Sequence, residues 1–422
     1  MLEIALKHHM EGGLPEAEAL YRALLEESPG QPDALHYLGI LLHQKGESEA
    51  GLELVGESLR LLPGRADWHN DLGNMLVGLG RFRQAAEAFL KAAELDPRDA
   101  NFPNNLGSTF AKLGQYDDAE SAFRQALTVD PGFSDALLNM GNLLESLDRK
   151  VEAAQYFCKA YVLEPTDQKP KSMLGIAYYT LGQIDDAARI YRLWMEEEPE
   201  NPIPRHLYAS CSGCEVPKRA SDSYVEKTFD EFSEKFDVKM EQLSYQGHEL
   251  VLKALSRHFQ PEGKLSGLDA GCGTGLCGPL VRPYLSHLTG VDISSGMLEA
   301  AREKQVYDEL VRMELTAYLE IHPGKFDLIL SSDTLTYFGD LGEVLEGMRK
   351  VLKEGGMLIF TIEESKGANC MLNPHGRYSH GRDYIEDALG EAGFEVLEVE
   401  SGIMRFEFGS AVDCLAVTAR AR

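Results

Sequence analysis

Asp269, Gly271, Cys272, Gly273 and Gly275 stand at the end of the apolar run Leu265 to Ala270, which suits a strand turning sharply into a helix beside a nucleotide. Glycines at alternate positions remove Cβ atoms where the backbone must bend and approach a ligand closely. Asp292 closes a second strand, Leu288 to Asp292, after a helix-length segment from Leu276 to Ser286. A carboxylate at that point can accept both hydroxyls of a ribose. Dinucleotide folds share this pair of features and carry Gly-x-Gly-x-x-Gly; Gly278 falls at the matching offset from Gly275. The chemistry read here is nucleoside binding, with a nicotinamide and a methyl donor both open.

The whole word, Leu268-Asp269-Ala270-Gly271-Cys272-Gly273-Thr274-Gly275 followed by Val291-Asp292-Ile293-Ser294-Ser295-Gly296-Met297, resembles the class I S-adenosylmethionine-dependent methyltransferases. The resemblance implies S-adenosyl-L-methionine as cofactor and S-adenosyl-L-homocysteine as product. It implies that Asp269 orients the methionine amino group, that Gly271, Cys272 and Gly273 line the methionine tail, and that Asp292 holds the ribose. Ile293 and Met297 would pack on the adenine, a use of apolar and polarizable side chains against a flat ring. Glu314 occupies the place where the family usually has an Asp facing the adenine amino group, with Leu315 beside it. Ser331, at the end of a fourth strand from Phe326, would complete the donor site, because ligands lie beyond the carboxyl ends of such strands.

The acceptor side is less specified. Enzymes of this class that methylate planar amide or base nitrogens carry an Asn-Pro-Pro-Tyr-like word after the fourth strand, whereas this chain has Ser332-Asp333-Thr334-Leu335-Thr336-Tyr337. Beyond a fifth strand, Met357 to Ile362, the Gly-bounded loop Asn373 to Gly381 gathers His375, Arg377, Tyr378 and His380. Either histidine could serve as a base and Arg377 could grip a carboxylate or phosphate; a purely structural loop is the alternative. A helical preface, Ser221 to Asp237, resembles the amphipathic lid of small-molecule methyltransferases, with Phe236 where relatives often carry Tyr. Tyr224 and Tyr245 could supply that hydroxyl or simply pack.

These elements require an α/β, Rossmann-like domain with a mostly parallel seven-stranded sheet, expected over residues 223–422. Before it the sequence has a metre of thirty-four residues: Gly39, Gly73, Gly107, Gly141 and Gly175 form one series and Pro29, Pro63, Pro97, Pro131, Pro165 and Pro199 another. Ala85, Ala119, Ala153 and Ala187, each followed four residues later by Phe89, Phe123, Phe157 or Tyr191, complete a pattern that resembles the tetratricopeptide repeat. The small residues suit close helix crossings, the aromatics fill the gap to the next repeat, and proline follows the second helix. An all-α solenoid is expected over residues 1–205, about six repeats with the first partial, and a linker over 206–222. The first helices of such a solenoid line its concave side, where Asn70, Asn74, Asn104, Asn105, Asn139 and Asn142 could clamp the main chain of a peptide. Solvated helix positions are the alternative reading.

The chain's 422 residues carry a net charge of −27, and residues 1–205 hold 33 acids and 19 bases, so acid is spread over both halves. Such a surface repels phosphate backbones, making nucleic acid an improbable partner and a protein or peptide the expected one. No opening apolar run or long hydrophobic stretch suggests export or a membrane span, so a cytoplasmic location is expected. Seven cysteines without a paired framework leave Cys211 and Cys214 as a lone pair, and no metal is expected.

Taken together, the chain resembles bacterial proteins that join tetratricopeptide repeats to a class I methyltransferase. The expected function is methyl transfer to an acceptor that is, or is carried by, a polypeptide the repeats recruit. The same glycine word also resembles the malonyl-carrier enzymes, so an O-methyltransferase of a small or carrier-bound carboxylic acid, with the repeats as an assembly scaffold, is a second reading. A catalytically inactive interaction scaffold is a third.

Overall fold

The computed structural model describes residues 1–163, 165–367 and 369–422. Two compact units result, Met1–Glu164 and Pro165–Arg422. The first contains five helix pairs: α1 and α2 (Leu2–Met10, Leu14–Glu27), α3 and α4 (Pro32–Gln44, Ser48–Leu61), α5 and α6 (Ala66–Gly78, Phe82–Leu95), α7 and α8 (Asn101–Lys112, Tyr116–Val129), and α9 and α10 (Ser134–Ser146, Lys150–Val162). The opening helix has nine residues where α3 has thirteen. The metre runs on into the second unit, through α11 (Lys171–Thr180), α12 (Ile184–Glu197) and α13 (Pro202–Ser212). The sequence-based boundary at 205 thus falls inside the second unit.

A methyl group built on Gly73 would lie 2.5 Å from Phe89, and one on Gly141 2.5 Å from Phe157. The aromatic ring therefore fills the space left by the glycine of its own repeat, as well as reaching Leu106 and Ala122 of the next one in the case of Phe89. The repeat beginning at Pro32 breaks the aromatic pattern, and there Val55 does the same work against Gly39. We expect Gly73→Ala to destabilise the first unit by about 1–3 kcal/mol through this overlap, read as an earlier thermal transition. An unchanged transition would show that the helices separate freely.

The asparagines are arranged differently from a peptide clamp. Asn105 donates its amide to Asn70 Oδ1 at 2.9 Å, and Asn139 donates to Asn104 Oδ1 at 3.0 Å and to Ser108 Oγ at 3.3 Å. His36 and Asp71 occupy the same relation one repeat earlier, at 3.0 Å. These pairs stitch the first helices of successive repeats, so Asn70, Asn104, Asn105 and Asn139 mostly hydrogen-bond one another, and Asn104 is buried. Asn74 and Asn142 are exposed.

In the second unit the strands are β1 (Leu265–Ala270), β2 (Leu285–Asp292), β3 (Glu309–Arg312), β4 (Phe326–Ser331), β5 (Leu352–Glu364), β6 (Cys370–Leu372), β7 (Tyr378–His380), β8 (Phe394–Glu407) and β9 (Ser410–Ala421). The parallel order β3-β2-β1-β4-β5 is followed by β9 and then β8, both antiparallel to their neighbours. Those seven strands are the expected sheet. The other two, β6 and β7, form a short hairpin whose second strand joins the end of β5, so the sheet has nine strands and the loop read as irregular is partly a strand.

Alternate residues of β4 and β5 face opposite sides. Leu328, Leu330, Met357 and Ile359 pack with α16 (Gly247–His258), and Ile329, Leu358 and Phe360 with the helices of the other face. Burial on both faces explains why these strands read as continuous apolar runs. Between them run α14 (Asp222–Phe232), α15 (Phe236–Gln242), α17 (Gly278–Val281), α18 (Ser295–Glu303), α19 (Leu315–Glu320), α20 (Gly342–Val351) and α21 (Arg382–Glu391). The segment after the glycine turn is a four-residue α17 and a short 3-10 turn, because β2 begins at Leu285 and takes up residues expected in a helix. Among the described residues no helix is long and apolar enough to cross a membrane.

Candidate active site

The chain leaves β1 for β2 on one side and later returns to β4 on the other, which opens a crevice at the carboxyl ends of β1 and β4. A cavity of about 360 Å³ occupies it. Asp269, Gly271, Cys272, Gly273, Asp292, Ile293, Met297, Glu314 and Leu315 all line this cavity. Ser331 does not: it is fully buried and donates to the Ala270 carbonyl at 2.9 Å, while its neighbour Ser332 faces the cavity. Strand alternation, which reverses direction at every residue, accounts for the one-position error.

Asp269 sits at the last inward position of β1 and receives a hydrogen bond from the Tyr307 hydroxyl at 2.7 Å. Burial pushes its carboxyl up to about 6, against the opposing pull of that bond. The Asp292 carboxylate accepts Gly273 N–H and Ser294 N–H, each at 2.9 Å, and burial again raises it while those donors oppose. It therefore ties the glycine turn to the end of β2 as well as facing the cavity.

The glycines divide into two kinds. A Cβ on Gly275, Gly278 or Gly290 would strike the Tyr307 ring at 2.9 Å, so these three admit the tyrosine that holds Asp269. Gly273, at φ +53°, has nothing within 4 Å of such an atom and borders open space. Tyr307 was not legible as a site residue, since it stands in a loop before β3 without a motif around it. Glu314 folds back as the N-cap of α19, accepting Thr316 N–H at 3.0 Å and Ala317 N–H at 2.9 Å. Its carboxylate is thus largely engaged locally, the consequence of a side chain one methylene longer than Asp.

The helical preface covers this half. Ser294 Oγ donates to Asp230, and Thr274 Oγ1 and Lys304 Nζ both donate to Asp237, the latter at 2.8 Å. Phe229, Phe232 and Phe236 line the cavity, with Phe236 edge-on to the other two. Of the two tyrosines considered there, Tyr245 reaches the cavity and its hydroxyl meets Ser332 Oγ at 2.7 Å. Tyr224 is buried instead against His206, ring centroids 4.0 Å apart.

The cavity wall also carries a charge network of which the sequence showed only a part. Arg405 donates to Asp333 Oδ2 at 2.6 Å, to Glu407 at 2.7 Å and to Glu363. Arg377 donates to the same Glu363 and Glu407 oxygens, at 2.6 Å each. Arg377, Arg405, Glu407 and Asp333 line the cavity. Burial raises the Asp333 carboxyl, and Arg405 opposes it; Glu407 is held down to about 2 by the two guanidiniums in spite of burial. An acid closing the apolar β5, and Arg405 with Glu407 on one face of β8 by strand alternation, were the available signals.

The expected acceptor loop is corrected at three positions. His380 is fully buried, donates to the Gly339 carbonyl at 3.0 Å and stacks on Tyr384, and burial depresses it to about 4. Tyr378 is buried and donates to the Pro217 carbonyl at 2.6 Å. His375 accepts Arg377 N–H at 3.3 Å and lies 3.5 Å from Glu363, and burial with Arg377 nearby lowers it to about 4. None of the three lines the cavity, and an imidazole of that pKa is a weak base at neutral pH. Arg377 does reach the cavity, but carboxylates of the chain itself occupy two arms of its fork.

The loop also meets the last helix of the repeat metre. His206 of α13 donates to the Gly376 carbonyl at 2.8 Å, and Ser210 donates to the Pro374 carbonyl at 3.2 Å. Gly376 adopts φ +86°, where a Cβ would lie 2.7 Å from the Tyr224 hydroxyl. Cys211 is half-buried beside Pro374 and Cys214 is exposed, both as free thiols.

A buried acid near the end of β1, a glycine turn and a second acid ending β2, all opening on one crevice, give the arrangement that open α/β sheets use for ligands at a topological switch point. The family matches are more specific: a methyltransferase domain over residues 268–360, and tetratricopeptide repeats over residues 11–66, 104–172 and 73–114. The chain joins tetratricopeptide repeats to a methyltransferase domain. Among its relatives is the malonyl-[acyl-carrier protein] O-methyltransferase of Priestia megaterium, 28% identical over 164 residues, which are 38% of this chain and 58% of that protein. The enzyme of the same name from Yersinia pestis is 26% identical over 177 residues, 42% of this chain and 64% of that one. The chain thus spans about three-fifths of the length of these relatives. Among solved structures, an S-adenosylmethionine-dependent methyltransferase from Mesorhizobium loti aligns with a TM-score of 0.32 at 22% identity, covering 40% of this chain and 96% of that one.

Proposed function

We propose that this chain transfers a methyl group from S-adenosylmethionine to an acceptor that is, or is carried by, a polypeptide brought in by the repeats. The observation that carries the reading is one cavity whose wall holds both Asp269, Gly273 and Asp292 and the charged groups Asp333, Arg377 and Arg405. The donor fits the residues present. Asp269 offers a buried carboxylate to an ammonium, Asp292 offers one to vicinal hydroxyls, and the open side of Gly273 leaves room for a chain to pass. When bound, the sulfonium supplies an already activated methyl group. The protein's part is to bring the two reactants into line and keep water out, which the Phe229, Phe232 and Phe236 cover serves. In functional terms we divide the chain into repeats 1–205, a joint 206–222 and a methyltransferase domain 223–422.

The relatives named as malonyl-carrier O-methyltransferases favour a second reading, in which the acceptor is a carboxylate on a carrier protein and the repeats only assemble the complex. One experiment separates the two. The full chain is incubated with methyl-labelled S-adenosylmethionine and a bacterial extract, and the label is traced. We expect label in precipitable polypeptide that resists mild alkali. Label released by alkali as methanol would mark a methyl ester and support the carboxyl reading. Label confined to small molecules would remove recruitment by the repeats, and no transfer at all, with donor binding intact, would leave the inactive scaffold.

A further inference from the structure

Asp333 stands between the glycine turn and the charge network and lines the cavity. It is flanked by Ser332, which hydrogen-bonds Tyr245, and by Thr334, whose hydroxyl donates to the Gly271 carbonyl of the glycine turn at 3.1 Å. One carboxylate oxygen is anchored on Arg405 at 2.6 Å, while the other, among the described residues, meets the Thr336 hydroxyl at 3.5 Å and so retains accepting capacity. The residue adopts φ +58°, uncommon for a side-chain-bearing residue. Thr361 Oγ1 accepts its N–H at 3.0 Å and helps to hold that conformation. Strain of this kind persists where the surroundings over-determine it, often at reacting centres.

The surrounding charge indicates the acceptor's class. Asp333, Glu363 and Glu407 face two guanidiniums, Arg377 and Arg405, with His375 depressed and therefore neutral. Three carboxylates outweigh two cations, and both cations are engaged by those carboxylates. A further carboxylate entering here would meet repulsion and no free fork. A cation would meet the opposite, with the aromatic side chains of Tyr245 and Tyr337 also on the cavity wall.

Resting on the reading of this cavity as the donor site, we propose that the acceptor is an amine and that Asp333 is the catalytic base that takes its proton. The ammonium gives one proton to the free Asp333 oxygen and becomes a neutral amine. The nitrogen's electron pair then forms the new N–C bond as the methyl C–S bond breaks, its pair remaining on sulfur in the thioether product. The methylated nitrogen leaves as a cation, and Asp333 returns its proton to water. Arg405 is a positioning residue that favours the ionised form of Asp333 against burial and holds its carboxylate in place.

The test needs only donor analogues. Sinefungin carries an amine where the donor carries its methylsulfonium, so its ammonium points toward the acceptor; S-adenosylhomocysteine lacks any such group. By calorimetry with the full chain we expect sinefungin to bind at least ~10-fold more tightly than S-adenosylhomocysteine, the scale of one charge-assisted hydrogen bond. Asp333→Asn and Asp333→Gly should erase that preference and leave S-adenosylhomocysteine affinity within ~3-fold, since the contrast lies only in the charged contact. Both replacements tolerate a left-handed backbone, and either suffices if the other fails to fold. Equal affinities in the unaltered protein would overturn the proposal, as would a preference that survives loss of the carboxylate. If neither analogue binds, it is the donor reading that has failed.

Discussion

Asp292→Ala will weaken binding of S-adenosylhomocysteine by about 1–3 kcal/mol, the scale for leaving buried hydroxyls without an acceptor. The loss has two sources in this structure. The carboxylate faces the cavity where a ribose would lie, and it also receives Gly273 N–H and Ser294 N–H, so its removal loosens the glycine turn that the donor must touch. Asp292→Asn, which keeps an accepting oxygen, should lose less. The same titrations repeated across pH examine Asp269. Its carboxyl stands at about 6, so the charged form that attracts the donor's ammonium is present above that pH and is lost as pH falls through it. Affinity should therefore decline below about pH 6. A full-strength curve from Asp292→Ala would sink the ribose assignment, and a pH-independent affinity would sink the ammonium one.

Arg405→Met will have the largest effect on stability. The side chain is only 3% exposed and bridges Asp333, Glu363 and Glu407. Its removal leaves buried carboxylates with Arg377 alone, and breaking a buried pair from one side costs about 3–5 kcal/mol. For a unit of this size that corresponds to a melting temperature roughly 6–20 °C lower. The pH dependence gives the sign. Glu407 is held at about 2 in the folded chain against 4.5 ordinarily, so its contribution is complete above the ordinary value and fades as pH falls from there toward 2. The stability gap between the unaltered chain and Arg405→Met should close over that same interval. A gap that stays constant down to pH 2 would mean that Arg405 acts by packing rather than by charge.

The two effects are separable because the sites are joined by one residue. Asp333 belongs both to the network Arg405 holds together and to the wall of the cavity. Loss of Arg405 should therefore disturb folding and acceptor chemistry together, whereas loss of Asp292 should disturb donor binding alone. The His206 and Ser210 contacts to the loop of Pro374 and Gly376 add a second route into the same network, since Arg377 is the next residue along.

The amino-acid sequence by itself determined the parts that depend on neighbours in the chain. A thirty-four-residue metre is a local property: Gly73 must be small because Phe89, sixteen residues on, fills its place, and the same spacing recurs at Gly141 and Phe157. The donor word is equally local, because a turn from strand to helix needs its glycines adjacent and its acids at the two strand ends. Nine of the ten positions expected to meet the donor line the cavity, and the tenth, Ser331, missed by one residue of strand alternation. Only tertiary structure decided the charge network. Asp333 comes from the turn after β4, Glu363 from β5, Arg377 from the residue before β7, and Arg405 and Glu407 from β8, and no spacing in sequence announces that five charges from so far apart will share one buried network. It also decided that His380 is internal and that His375 sits against Glu363. A loop rich in His, Arg and Tyr has the composition of a reactive site, but when its last residues pair with β5 as a strand, alternation and burial turn His380 inward and leave it neutral. The asparagine row shows the same limit. Polar residues on a helix read as solvated or as a ligand's partners, and which they are depends on the next helix, here close enough for Asn70 and Asn105 to satisfy one another.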